Sequence, residues 1–176
     1  MPTATAHEAI ERLSRVVPDF PTPGITFRDL TPVFADGPAL HAVTDALVEP
    51  FAGRFDVIAG VEARGFVLAA SAAYATGLGV VMIRKPGKLP RAVLSEDYDL
   101  EYGSTTLEVH PDELDRGARV LLVDDVLATG GTLAASCSLI ERSGWVVAGI
   151  SVVLELSELA GKTKLPGRTV HSLVTL

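Results

Sequence analysis

Two carboxylates stand side by side, Asp124 and Asp125, at the end of the apolar run Val120-Leu121-Leu122-Val123. The chain then passes through Val126-Leu127-Ala128-Thr129-Gly130-Gly131-Thr132 into a segment of helical pattern. Adjacent carboxylates can accept hydrogen bonds from neighbouring hydroxyls of one sugar. The glycines let backbone N–H groups turn toward one anion, the following helix brings its positive dipole end, and Thr129 and Thr132 add hydroxyl donors. Ribose 5-phosphate carries both features, vicinal hydroxyls and a monophosphate. An ordinary strand-to-helix turn with a capping threonine would explain the Gly-Gly pair but not two acids closing the strand ahead of it. Neither the Gly-x-x-x-x-Gly-Lys-Ser/Thr loop nor the Gly-x-Gly-x-x-Gly dinucleotide turn is present.

Cations cluster in one place, Arg84, Lys85, Lys88 and Arg91 within Arg84-Lys85-Pro86-Gly87-Lys88-Leu89-Pro90-Arg91. Proline and glycine make this a loop, suited to a compact anionic ligand. Arg64 follows the strand that ends near Gly60 and so stands at the same sheet edge as the acid pair. A third segment, Asp19 to Asp29, mixes helix breakers with Phe20, Phe27 and Arg28, which suits a loop covering a ligand better than a plain linker. Cys137 falls in an apolar helical stretch and reads as a buried structural thiol. His7, His41, His110 and His171 are scattered and form no ligand set.

The elements that must hold these residues alternate between strand and helix. A first amphipathic helix is expected through Ile10, Leu13 and Val17, ended by Pro18. After Asp36-Gly37-Pro38, the spacing of Leu40, Val43, Leu47 and Phe51 predicts a second helix. A buried strand follows at Asp56 to Gly60, then a helix over Arg64 to Thr76 capped by Gly77, then the apolar strand Val80 to Ile83. Ser104 to Val109 alternates like a strand and should pair with residues near Arg91 to Leu94 as a hairpin arm, with a flexible loop over about 85–108. Arg119 to Asp125 and Trp145 to Leu154 are further strands around a helix reaching about Ser143, and His171 to Leu176 is a candidate edge strand. The fold class is α/β, one domain over residues 1–176 built on a mostly parallel sheet. Ligands of such sheets bind at the carboxyl ends of the strands.

The chain has 176 residues, is 48% hydrophobic, and carries a formal charge of −7. That charge disfavours a nucleic-acid partner, and no apolar run is long enough for a membrane span. The first ten residues lack a basic and apolar leader pattern, so a cytoplasmic location is expected.

The Val120 to Thr132 run resembles the phosphoribosyl pyrophosphate signature of the type I phosphoribosyltransferases. Four more segments are similar to members of that family acting on adenine: Phe20 to Asp29, Glu62-Ala63-Arg64-Gly65-Phe66, Arg84 to Pro90, and Tyr98-Asp99-Leu100-Glu101-Tyr102-Gly103. The resemblance covers about Phe20 to Leu159. It implies a central sheet with a small hood, about residues 19–36, and a flexible catalytic loop. It further implies transfer of phosphoribosyl to adenine, giving AMP and pyrophosphate. Asp124, Asp125, Ala128, Thr129, Gly130, Gly131 and Thr132 would hold ribose 5-phosphate. Pyrophosphate would lie on Glu62, Ala63, Arg64, Arg84, Lys85 and Lys88, with Ala63 standing where serine is commoner, a non-proline cis peptide nearby, and Arg84 reaching across a homodimer interface. Adenine would lie between Phe27 and Leu156, its edge read by the backbone C=O of Thr26 and N–H of Arg28. Glu101 would handle the proton and Tyr102 would shield the reacting centre, with Arg64 as the third catalytic candidate. Mg²⁺ is expected, held mainly by substrate oxygens. The competing expectations are a relative acting on another purine base and a non-catalytic regulator that senses the sugar phosphate.

Overall fold

The structure is a computed structural model that describes residues 5–20, 23–24, 26–99 and 104–176. Helix α1 (Ala6–Leu13) starts at a capping box: Thr5 Oγ1 accepts from the Glu8 N–H at 3.3 Å and the Glu8 carboxylate accepts from the Thr5 N–H at 2.8 Å. The helix is shorter than its apolar spacing predicts. Strand β1 (Arg15–Val17) takes over after Ser14 and pairs antiparallel with β2 (Phe27–Asp29), Val17 opposite Phe27. Two β-branched residues ahead of Pro18 disfavour helix, and the hood supplies a ladder partner. A short helix α2 (Thr31–Ala35), absent from the sequence reading, leads into α3 (Gly37–Val48), whose N-terminus is capped by the Asp36 carboxylate.

The rest follows the alternation seen in the sequence. Strand β3 (Val57–Val61) leads to α4 (Arg64–Thr76), which Gly77 ends in the left-handed conformation, φ 71°. Next come β4 (Gly79–Ile83), the hairpin β5 (Leu94–Asp99) and β6 (Ser104–Val109), β7 (Arg119–Leu127), α5 (Gly131–Arg142), β8 (Val146–Glu155) and β9 (Val170–Thr175). The sheet order is β4-β3-β7-β8-β9, every pair parallel. The hairpin arm expected to start near Arg91 begins at Leu94, which pairs with Val109. Arg142 fastens the hairpin to α5, donating to the Ser95 carbonyl at 2.8 Å and to Glu96.

Both faces of the sheet are covered, as parallel strands require. Leu121 and Val123 of β7 pack with α1, α3 and α4 on one side, whereas Val120 and Leu122 pack with α5 and the hairpin on the other. Cys137 lies in the second core, where burial pushes its thiol up to about 11, so it is an inert packing residue. Among the described residues no helix is long and apolar enough to cross a membrane.

The 3₁₀ turn Glu49–Phe51 that follows α3 meets β8 so closely that a Cβ at Gly149 would collide with the edge of the Phe51 ring. Gly149→Ala should therefore cost about 1–3 kcal/mol of stability from overpacking. Urea denaturation would measure it, and an unchanged midpoint would contradict this packing.

Candidate active site

The carboxyl ends of β3, β7 and β8 open together into a cavity of about 660 Å³, roofed by the hood strand β2 and the hairpin. Thr26, Phe27 and Arg28 enter it from the hood, Glu62, Ala63 and Arg64 from the β3–α4 turn, and Lys85 from the cation loop. Asp124, Asp125, Ala128 and Thr132 line the floor, and Leu156 closes one side. Residues that the sequence scattered over 131 positions thus share one space. Thr129, Gly130 and Gly131 shape the turn without lining the cavity, and Arg84 and Lys88 do not line it either. Glu101 and Tyr102 lie outside the described residues.

The acid pair is its electrostatic centre. Asp124 and Asp125 are only 9% and 6% exposed, and Asp124 Oδ1 accepts the Asp125 N–H at 2.9 Å. The first turn of α4 presses on them: a Cβ at Gly65 would lie 2.9 Å from Asp124 Oδ1 and 3.1 Å from the Val123 carbonyl oxygen. Burial pushes the Asp124 carboxyl well above the usual range, and the neighbouring Asp125 charge adds to this. Burial also raises Asp125, against the pull of Arg64. Arg64 Nε approaches Asp125 Oδ2 at 2.5 Å, but off the line of an N–H···O bond. That oxygen therefore faces a positive charge and, among the described residues, has no aligned donor.

Beside the acids, Gly130 adopts φ 80° and α5 begins at Gly131 with no capping side chain among the described residues. The N–H groups of its first turn are left for an anion to satisfy. Thr132 Oγ1 donates to the Tyr98 hydroxyl at 3.3 Å, which ties the hairpin to the mouth of this turn.

Across the cavity, the Glu62–Ala63 peptide is cis. The Glu62 carboxylate turns to the cation loop, accepting from Arg84 Nε at 3.2 Å and from the Lys85 N–H at 3.0 Å. Burial would raise this carboxyl, but those two bonds outweigh it and hold it below its usual value. Glu62 thereby shapes the loop that presents Lys85. On the hood side, the Arg28 guanidinium is drawn back to Ser14 Oγ at 3.1 Å. The Phe27 ring carries the Arg64 guanidinium 5.1 Å from its centroid and meets Phe20 edge-on at 5.2 Å. Arg64 thus bridges the Phe27 ring of the hood and the acid pair.

The sequence reading missed Tyr98, Thr105, Val126 and Leu154, all of which line the cavity. Val126 and Leu154 pair in the β7–β8 ladder, Val126 one position after Asp125 and Leu154 two positions before Leu156, residues the reading had singled out. Tyr98 opens the Tyr98 to Gly103 segment, in which attention went to Glu101 and Tyr102. Among the described residues no three His, Cys, Asp or Glu converge as a metal site.

A parallel sheet with an acid pair and an uncapped helix start at one strand end offers hydrogen-bond acceptors beside an anion-binding helix start. The chain matches the phosphoribosyl transferase domain over residues 38–166, and it belongs to that family. It is 65% identical to the adenine phosphoribosyltransferase of Renibacterium salmoninarum over 175 residues, which cover 99% of this chain and 96% of that one. The crystal structure of adenine phosphoribosyltransferase from Thermoanaerobacter pseudethanolicus superposes with a TM-score of 0.93 at 47% identity, covering 97% of this chain and 99% of that one. The Saccharomyces cerevisiae enzyme, crystallised with adenine and an imino-altritol bisphosphate, gives a TM-score of 0.91 at 34% identity, covering 96% of this chain and 98% of that one. Within its family, the chain's place is among the adenine phosphoribosyltransferases.

A buried carboxylate whose folded-state pKa is raised costs stability once it ionises. The cost is absent below the unfolded value of about 4 and grows as pH rises toward the folded value. Asp124→Asn should therefore stabilise the protein at pH 7 by on the order of 1 kcal/mol, a gain that vanishes near pH 4. Thermal melts across that range would show it, and a variant destabilised at pH 7 would contradict the cost of this buried charge.

Proposed function

We propose that the chain transfers the 5-phosphoribosyl group of phosphoribosyl pyrophosphate to adenine, producing AMP and pyrophosphate. The observation that carries this is the buried acid pair beside the uncapped start of α5, in one cavity with the Phe27 and Leu156 walls. In this reading the backbone of the Ala128 to Thr132 turn holds the 5′-phosphate. Asp124 and Asp125 accept from the ribose 2′- and 3′-hydroxyls, and this also gives Asp125 Oδ2 the donor it lacks.

Reaction requires the bond from C1′ to the pyrophosphate oxygen to break, its electron pair leaving with pyrophosphate, while adenine N9 bonds to C1′ and loses its proton. Positive charge builds on C1′ and the ring oxygen as in glycoside transfer. The nearby carboxylates favour that charge, and Arg64, Lys85 and Lys88 take up the charge of the leaving group. Glu101 is the group to receive the N9 proton, and Tyr102 the one to exclude water from C1′. Adenine lies between Phe27 and Leu156, its amino group donating to the Thr26 carbonyl and its ring nitrogen accepting from the Arg28 N–H. An oxo-purine would meet the Thr26 carbonyl with an acceptor and be refused.

Mg²⁺ suits this site, because pyrophosphate and ribose supply hard oxygen ligands and the acid pair adds negative charge beside them. Asp124 and Asp125 would face it while pyrophosphate and ribose oxygens complete its shell, and the ion would offset the pyrophosphate charge. Highly charged substrates of this kind do not cross membranes, which supports a cytoplasmic setting.

A homodimer is supported by an apolar face on α4 and the edge strand β4, where Val67, Tyr74, Val80 and Met82 are exposed, Tyr74 by 92%. Arg84 directly follows β4, and its guanidinium is held by Glu62 and stacked over the Phe66 ring of its own chain, so reaching a partner's site requires it to leave these contacts. Sedimentation should give twice the 18.5 kDa chain mass, and Met82→Asp should shift it toward monomer. An active wild-type monomer would contradict this assembly.

Assays with adenine, hypoxanthine and guanine should show turnover with adenine alone at comparable concentrations, and faster turnover of hypoxanthine would overturn the assignment of the base. In the same assay Glu101→Gln should lower kcat by about 100-fold. An unaltered kcat would remove Glu101 from proton transfer.

A further inference from the structure

The phosphate cradle has a floor supplied by a distant part of the chain. Behind the Ala128 to Thr132 turn lies the helical turn Gly161–Lys164, and its first residue is buried against the cradle. A Cβ at Gly161 would collide with the Ala128 carbonyl oxygen and would lie 2.8 Å from Leu127 Cδ1 and 2.9 Å from the Gly130 nitrogen. Reciprocally, a Cβ at Gly130 would collide with the Gly161 carbonyl. Gly161 does not take a left-handed φ, so space alone demands glycine there. The obstructing atoms are mostly backbone, which cannot swing aside as a side chain can. One of them is an amide nitrogen of the turn that faces the phosphate.

The turn is itself anchored. Lys162 Nζ lies 2.6 Å from Glu155 Oε2, and Ser172 Oγ donates to the same oxygen at 2.6 Å. Thr163 adds two bonds to the Ala160 carbonyl, from its hydroxyl at 2.7 Å and its N–H at 3.0 Å. Glu155 directly precedes Leu156, whose N–H donates to the Leu127 carbonyl at 2.9 Å. The clamp therefore spans the base wall and the last residues before the cradle.

We infer that Gly161 is a positioning residue for the sugar phosphate: its bare backbone sets the depth of the cradle, and the Lys162–Glu155–Ser172 clamp holds it in place. This rests on the reading that the Ala128 to Thr132 turn binds the 5′-phosphate. A side chain at 161 pushes the amides of that turn out of line, and none of the three nearest atoms it would meet belongs to Phe27 or Leu156.

The test compares wild type, Gly161→Ala, Lys162→Met and Lys162→Arg, with Gly37→Ala as a control at a glycine facing open space. Calorimetry gives the affinity for ribose 5-phosphate, steady-state kinetics the KM for each substrate, and thermal melts the fold. Gly161→Ala should weaken ribose 5-phosphate binding and raise the KM for phosphoribosyl pyrophosphate by about 10- to 100-fold, the cost of misplacing groups by an ångström. The KM for adenine should stay within about twofold, the split expected when one subsite alone is disturbed. Lys162→Met should shift the same two quantities by about threefold or more, in line with loss of a hydrogen-bonded ion pair, and Lys162→Arg should restore them. Wild-type binding by Gly161→Ala, or equal loss on the adenine side, would overturn the inference. Should Gly161→Ala fail to fold, wild-type binding by a folded Lys162→Met would overturn it as well. A wild-type protein with no affinity for ribose 5-phosphate would instead bring down the phosphate reading itself.

Discussion

Two adjacent carboxylates buried against the first turn of a helix are an arrangement that folding by itself disfavours. Asp124 and Asp125 repel one another in a space that raises both their pKa values, and the Arg64 guanidinium only partly compensates. The surrounding structure is arranged to impose this. Gly65 admits helix α4 to within contact of Asp124, β7 carries the pair to the sheet edge, and the hood folds over them. A polyhydroxyl ligand with an anionic tail matches this arrangement: it brings donors for the carboxylates and an acceptor for the first amides of α5. The disfavoured charge pair and the uncapped helix are thus two halves of one complementarity.

That complementarity explains why the parts on either side are built differently. The cradle side is rigid, set between the core of α5 and the Gly161 turn. The opposite side, where we propose that pyrophosphate lies, is a loop of cations ordered by one carboxylate, Glu62, through Arg84 and the Lys85 amide. A sugar phosphate that stays bound through the reaction calls for the first, and a leaving group that must depart calls for the second. Tyr98 fixes the hairpin to the cradle, its hydroxyl meeting Thr132.

Much of this was legible in the residues alone. The acid pair, the Gly130-Gly131 turn and helix α4 ending at Gly77 were readable because each rests on local chemistry: apolar periodicity, a glycine conformation or a charge pattern. The first helix was read too long because Val17 satisfies a helical spacing, and only the tertiary ladder with Phe27 tips it to strand. Gly161 gave no signal, since a glycine in a polar stretch looks like any loop residue until the backbone it faces is known. The Arg64 contact with Phe27 was equally hidden, because the sequence separates the two by 37 positions and assigns them to different subsites.

The most direct test is a crystal structure of the protein with AMP bound. The nucleotide should lie with its phosphate on the backbone amides of Ala128 to Thr132, its ribose hydroxyls on Asp124 and Asp125, and Arg64 moved off the Phe27 ring to admit the base. AMP bound elsewhere, with the two aspartates still facing only Arg64, would contradict the account.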